Sequence, residues 1–148
     1  SNSVCAAIAG DELIYYEGAE IPEEKKTVEI GSEIRSIFFG EGTVGIVTLG
    51  SDVTEEAEEE QGKYRVTLYD TSGRETLAQK TDLEYTQIKM SGKYLILYDE
   101  TGCEIYSGQG VLKYAGDFDS VIYTINKSSG YNKFTVVFSD RTETIRLK

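Results

Sequence analysis

The chain has 148 residues, 26 acidic against 15 basic, a formal charge of −11, and neither histidine nor tryptophan. Its length suits one domain with a real core, and 39% hydrophobic with 28% charged residues marks a folded chain rather than a disordered one. The acidic balance argues against nucleic acid and against adhesion to anionic membranes, and the lack of histidine excludes a Ser-His-Asp triad, a Cys-His pair and a histidine-ligated metal.

In chain order, the opening Ser-Asn fits a cloning scar, so the chain reads as excised from a longer one. "VCAAIAG" (Val4–Gly10) is short and has no basic flank, so it is not a signal peptide. No run of ~18 apolar residues follows. Membrane association is therefore expected only through a segment outside this chain. Short apolar runs of period two then recur between Gly, Asp, Asn and Ser: Glu12–Tyr16, Lys26–Ile30, Ile34–Phe39, Thr43–Leu49, Lys63–Asp70, Glu75–Lys80 and Tyr85–Met90. After these come Lys93–Asp99, Cys103–Ser107, Gly110–Ala115, Ser120–Asn126, Lys133–Ser139 and Thr142–Lys148. About thirteen strands at spacings of roughly 8–12 residues predict an all-β fold. "GAEIPEEKK" (Gly18–Lys26) reads as a solvated connection, and "DVTEEAEEEQG" (Asp52–Gly62), with no apolar stripe, reads as an exposed loop.

One pattern occurs twice, "GKYRVTLYDTSGRE" (Gly62–Glu75) and "GKYLILYDETGCE" (Gly92–Glu104). Each holds D-x-x-G, Asp70 to Gly73 and Asp99 to Gly102. In a hairpin turn the Asp accepts backbone N–H groups and the Gly takes a positive φ. Both aspartates thus have structural work. The first copy is one residue longer, and a β-bulge there would reconcile the two. Its strand has Tyr64, Val66 and Leu68 on one face and Lys63, Arg65 and Thr67 on the other, so it looks half-exposed. The second strand is apolar on both faces, and so is "SVIYTIN", with Val121, Tyr123 and Ile125 against Ile122. Small antiparallel sheets stacked face to face bury strands of this kind.

"YTQIKMSGKYLILYDETGCEIYSGQGVLKYAGDF" (Tyr85–Phe118) resembles the strand–turn–strand units of bacterial WD40-like and quinoprotein-like propeller repeats. The ending "YNKFTVVFSDRTETIRLK" is similar to the C-terminal end of propeller-like extracytoplasmic proteins of unknown function from Gram-positive bacteria. The likeness covers Lys63–Lys148. The Trp-Asp signature and the quinone-site tryptophan have no counterpart here, so the resemblance implies a surface-exposed domain rather than a reaction. The expected fold is all-β, with stacked small antiparallel sheets forming one propeller-like domain over 1–148. At four strands per blade this is a partial array of about three blades; a β-sandwich or barrel is the alternative.

Candidate chemistry is sparse. No phosphate-loop pattern occurs, and "GEGTVG" (Gly40–Gly45) reads as a turn. Cys5 and Cys103 cannot build a zinc site between them and are expected to be free thiols. Glu55–Gln61 and the pair Asp117 and Asp119 could offer oxygens to calcium, but neither completes a calcium-loop pattern. Tyr64, Tyr94, Tyr98 and Tyr123 are expected in the core, and Tyr15, Tyr16, Tyr114 and Tyr131 at the surface. No catalytic, cofactor-binding or metal-ligating residue is assigned, and no cofactor is expected. The expectation is a non-enzymatic binding or scaffold domain on the outside of a bacterial cell. Its partner would be a protein or glycan, and sheet edges would permit self-association. The alternative is a carboxylate-dependent hydrolase or lyase acting on a carbohydrate.

Overall fold

A computed structural model describes residues 3–40, 42–49 and 63–148, and all the regular structure among them is β. The chain divides into two compact units, Ser1–Thr81 and Asp82–Lys148. The expected acidic loop falls outside the described residues.

The first unit holds two antiparallel meanders. One is β1 (Val4–Ala9), β2 (Glu12–Glu17) and β3 (Glu23–Glu29); the other is β4 (Ile34–Gly40), β5 (Thr43–Leu49), β6 (Tyr64–Asp70) and β7 (Glu75–Thr81). Leu13 and Tyr15 lie two apart on β2 and share its inner face. They pack on Val44 and Ile46 of β5 and on Tyr69 of β6, with Ala6 and Ile8 of β1 at the margin.

The second unit repeats the plan. It has β8 (Gln87–Ser91), β9 (Tyr94–Tyr98), β10 (Gly102–Ser107) and β11 (Leu112–Asp117), then β12 (Ile122–Lys127), β13 (Lys133–Phe138) and β14 (Thr142–Arg146). Phe134, Val136 and Phe138 alternate along β13 and meet Ile96, Tyr98 and Ile105. Tyr94 sets its ring edge-on to Phe134, centroids 5.0 Å apart, and donates its hydroxyl to Asn132 Oδ1 at 2.9 Å. Lys89 Nζ joins the two sheets of this unit by donating to Thr124 Oγ1 and Asn126 Oδ1.

The all-β expectation holds, as small stacked antiparallel sheets. Among the described residues no sheet closes into a barrel: each has a linear strand order. The described residues form four sheets where the strand count suggested about three, because two of them have three strands rather than four. β1 is the strand that periodicity passed over. The connection read at Gly18–Lys26 is also part sheet, since Glu23–Lys26 pair with β2 in β3. The ladder there is carried by backbone groups, with Lys25 Nζ 2.8 Å from Glu17 and Lys26 Nζ donating to the Gly73 carbonyl at 3.1 Å.

Both D-x-x-G turns form, by different routes. Asp70 Oδ1 accepts from the Ser72 N–H and hydroxyl and from the Arg74 N–H, while Gly73 has φ +72°. Asp99 Oδ1 accepts from the N–H groups of Thr101 and Gly102. Gly102 already belongs to β10 and has no positive φ; there a Cβ would stand 3.0 Å from Asp117 Oδ1 and 3.3 Å from Asp99 Oδ1. Close approach, not backbone handedness, requires that glycine. The first copy carries a bulge at Thr76 on the return strand β7, where Leu68 faces Leu77 and Tyr69 faces Glu75, but β6, which holds the extra residue, pairs with β5 in unbroken register, so this bulge does not reconcile the two copies. The half-exposed reading of this strand holds at Lys63 and Arg65 but not at Thr67, which is buried, as is Tyr69.

Bonds from the Ser72 hydroxyl and from the Arg74 and Ser72 N–H groups hold the Asp70 carboxyl at about 2, against an ordinary 3.8. A depressed folded-state value stabilises the fold above the unfolded pKa and is lost as pH falls through the folded one. Asp70→Ala therefore flattens the stability curve between about pH 4 and pH 2. With solvent screening at this turn, the loss at neutral pH is at most about 2 kcal/mol. Urea titrations of both forms across that range check it; an unchanged acid limb contradicts it.

Candidate functional site

Among the described residues four open sheets expose eight outer strands: β1, β3, β4, β7, β8, β11, β12 and β14. Outer strands present unpaired N–H and C=O groups, and proteins commonly guard them with charge or bulges. Seven of the eight carry at least one Asp, Glu, Lys or Arg; β1, of sequence VCAAIA, carries none. It pairs with β2 in unbroken register from Val4↔Glu17 to Ala9↔Glu12. Ala6 and Ile8 turn toward the core, while Val4, Cys5, Ala7 and Ala9 are exposed.

A cavity of about 360 Å³ adjoins this strand, walled by Val4, Cys5 and Ala6, by Tyr15, and by Phe39 and Gly40 of β4, among others. Phe39 stands at 68% exposure. Tyr15 is 1% exposed, and its buried hydroxyl has no hydrogen-bond partner among the described residues. Burial, with smaller contributions from Asp70 and Tyr69, pushes that phenol up to about 12, so it stays a donor at neutral pH. A buried donor without an acceptor costs roughly 1–3 kcal/mol, a cost an incoming acceptor removes. At the other end of β1, Gly10, Asp11, Gly31, Ser32, Glu33 and Ile34 line a second, more open cleft of about 480 Å³. Glu12 and Glu29 pair across strands beside it, and Glu33 Oε1 accepts from Arg35 Nη1 at 3.3 Å.

Both cysteines are free. Cys5 is exposed on β1; Cys103 is buried, and burial followed by Glu104, Asp117 and Asp99 raises its thiol to about 12. Asp119 is held by Arg141, which also binds Asp140 and Glu143 and lies over the Phe138 ring, while Asp117 lies beside Gly102. Glu55–Gln61 are outside the described residues. Among the described residues no three acidic or thiol side chains gather as metal ligands.

The tyrosines depart from expectation twice. Tyr98 is buried and Tyr64 and Tyr94 are half-buried, but Tyr123 is 64% exposed and Val121 43%. A bulge at Tyr123 lets Ile122 and Ile125 share the inner face and turns Tyr123 outward. Conversely Tyr15, expected at the surface, is core, since alternation sets it beside Leu13. Tyr16 and Tyr114 are half-buried, and Tyr131 is 89% exposed.

Among the described residues these features define an all-β protein of short antiparallel meanders with one uncharged outer strand beside a cavity of mixed lining. The chain belongs to a family of unknown function (DUF5711), whose match spans residues 1–147. No curated protein matches it.

Proposed function

We propose that the chain is a non-enzymatic binding or scaffold domain that takes an extended protein segment onto the edge of its first sheet. One observation carries this: β1 alone among the outer strands of the described residues has no charged side chain. Main-chain pairing supplies affinity in strand addition, and pockets for alternate side chains supply selectivity. The propeller-like arrangement in this reading rests on the meander order of all four sheets. Its placement outside a bacterial cell rests on the sequence resemblance alone.

Selection of displayed seven-residue peptides on the native chain tests the reading. Enrichment of alternating β-branched sequences, lost on an Ala7→Lys chain, supports it. Equal enrichment on both chains contradicts it.

A further inference from the structure

We infer that the end of the second unit formed by the β8–β9, β10–β11 and β12–β13 turns docks on an anionic lipid surface. The inference is independent of the edge reading above and concerns the other unit.

The charge of −11, unfavourable to anionic surfaces as a whole, is unevenly placed. Residues 82–148 hold nine acidic and eight basic side chains, so the second unit is nearly neutral and the excess lies in the first. Within the second unit the two signs part by strand end. Antiparallel order sends alternate turns to opposite ends, and bonds between its segments show which turns share an end. At one end the Phe118 N–H donates to the Thr101 carbonyl, the Ile122 N–H to Glu100 and the Ser139 N–H to Val121. Asp99, Glu100, Asp117, Asp119 and Asp140 lie at that end, and Arg141 pairs there with Asp119, Asp140 and Glu143.

At the other end the Lys127 N–H donates to Ser91 Oγ, the Tyr94 hydroxyl donates to Asn132 Oδ1, and a Cβ at Gly108 would stand 3.0 Å from the Lys93 carbonyl oxygen. Lys93, Lys113, Lys127 and Lys133 lie at or beside these turns, and Arg146 faces Lys133 across the β13–β14 ladder. Segments 89–94, 106–114, 126–134 and 145–148 contain no Asp or Glu. Among the described residues no ion pair joins these five cations to a carboxylate. The same end exposes apolar groups: Val111 and Leu112 are half-exposed and Tyr131 almost wholly so.

Turns at strand ends give a convex surface, which a flat, deformable bilayer meets. The cations answer anionic headgroups, and their apolar stems lie along the interface with the charged heads in water. Val111 and Leu112 gain by leaving water, and a tyrosine settles with its ring at headgroup level. A soluble polyanion answers the cations but leaves the apolar groups wet, so the combination favours lipid. The acidic end lies a strand away, about 20 Å for six residues. That is about two Debye lengths at 0.1 M salt, so its repulsion is screened where the attraction of the cations is not.

Co-sedimentation of the native chain with vesicles tests this. The chain binds vesicles of phosphatidylcholine with about 30% phosphatidylglycerol, not phosphatidylcholine alone, and leaves them as salt rises well past about 0.1 M. Lys93→Gln combined with Arg146→Gln lowers binding about tenfold or more, since each cation at such a surface contributes roughly fivefold. Thr101→Glu combined with Thr142→Glu changes the net charge equally at the acidic end and leaves binding within about twofold. The chain has no tryptophan, so Tyr131→Trp reports on this end alone: its emission moves to the blue on the anionic vesicles. Equal losses in the two charge pairs, an unshifted Tyr131→Trp emission with the chain bound, or no vesicle binding overturns the inference. Binding of poly-glutamate without binding of vesicles puts an acidic protein segment at this end and overturns the lipid assignment.

Discussion

Phe134→Ala lowers the stability of the second unit by about 3–5 kcal/mol, the range for removing a fully buried ring from a packed core. Phe134 has no exposure, and it joins β9 to β13 through the edge-on contact with Tyr94 and the alternating face it shares with Val136 and Phe138. Removing the ring leaves a cavity between two sheets whose backbones are held by their own ladders, so collapse is limited. Urea unfolding followed through amide signals of Asp82–Lys148 measures the loss. Tyr131→Ala in the same unit is the control: Tyr131 is 89% exposed, and its loss shifts stability by no more than about 0.5 kcal/mol. A Phe134→Ala midpoint equal to that control contradicts the placement of the core.

Gly45→Ala is the second large loss, and it arises from overlap rather than from a void. Gly45 on β5 faces Phe38 on β4, and a Cβ at Gly45 would coincide with the Phe38 ring. The ring lies over the glycine backbone and is 8% exposed there. To admit a methyl group it must leave, forfeiting roughly 1.5–3 kcal/mol of burial, or stay and strain the strand by a similar amount. Because the cause is one neighbour, the effect is not additive: in a Phe38→Ala background, Gly45→Ala costs about 1 kcal/mol less than alone, or better. Chemical denaturation of the four species closes the cycle. Equal losses in both backgrounds contradict a direct clash.

The strands most legible in the sequence are those where alternation and turn chemistry agree. The "KYLILYD" strand was expected to be covered on both faces, and Leu95, Ile96 and Leu97 have no exposure. Asp70 and Asp99 were expected to close hairpins, and both accept the turn N–H groups. Two things defeated the same reasoning. The bulge at Tyr123 shifts the two-residue period, and a period count assigns each side chain by parity alone. Alanine is a poor strand former, so VCAAIA offers three weak residues where Val or Thr would have marked a strand. The available clue was the following Gly10-Asp11, a turn pair set before the clear strand at Glu12. The candidate site depends on β1, and its uncharged edge becomes visible only once sheet order shows which strands are outer.

The most direct measurement is amide hydrogen exchange at Val4–Ala9 in the native chain, with and without a β-branched peptide enriched in the display selection. The amides of β1 not bonded to β2 exchange fast in the free chain and become protected when the peptide binds, while Glu143 and its neighbours on the charged outer strand β14 do not change. Protection spread equally over both strands, or absent from β1, contradicts the claim that this edge is the binding site.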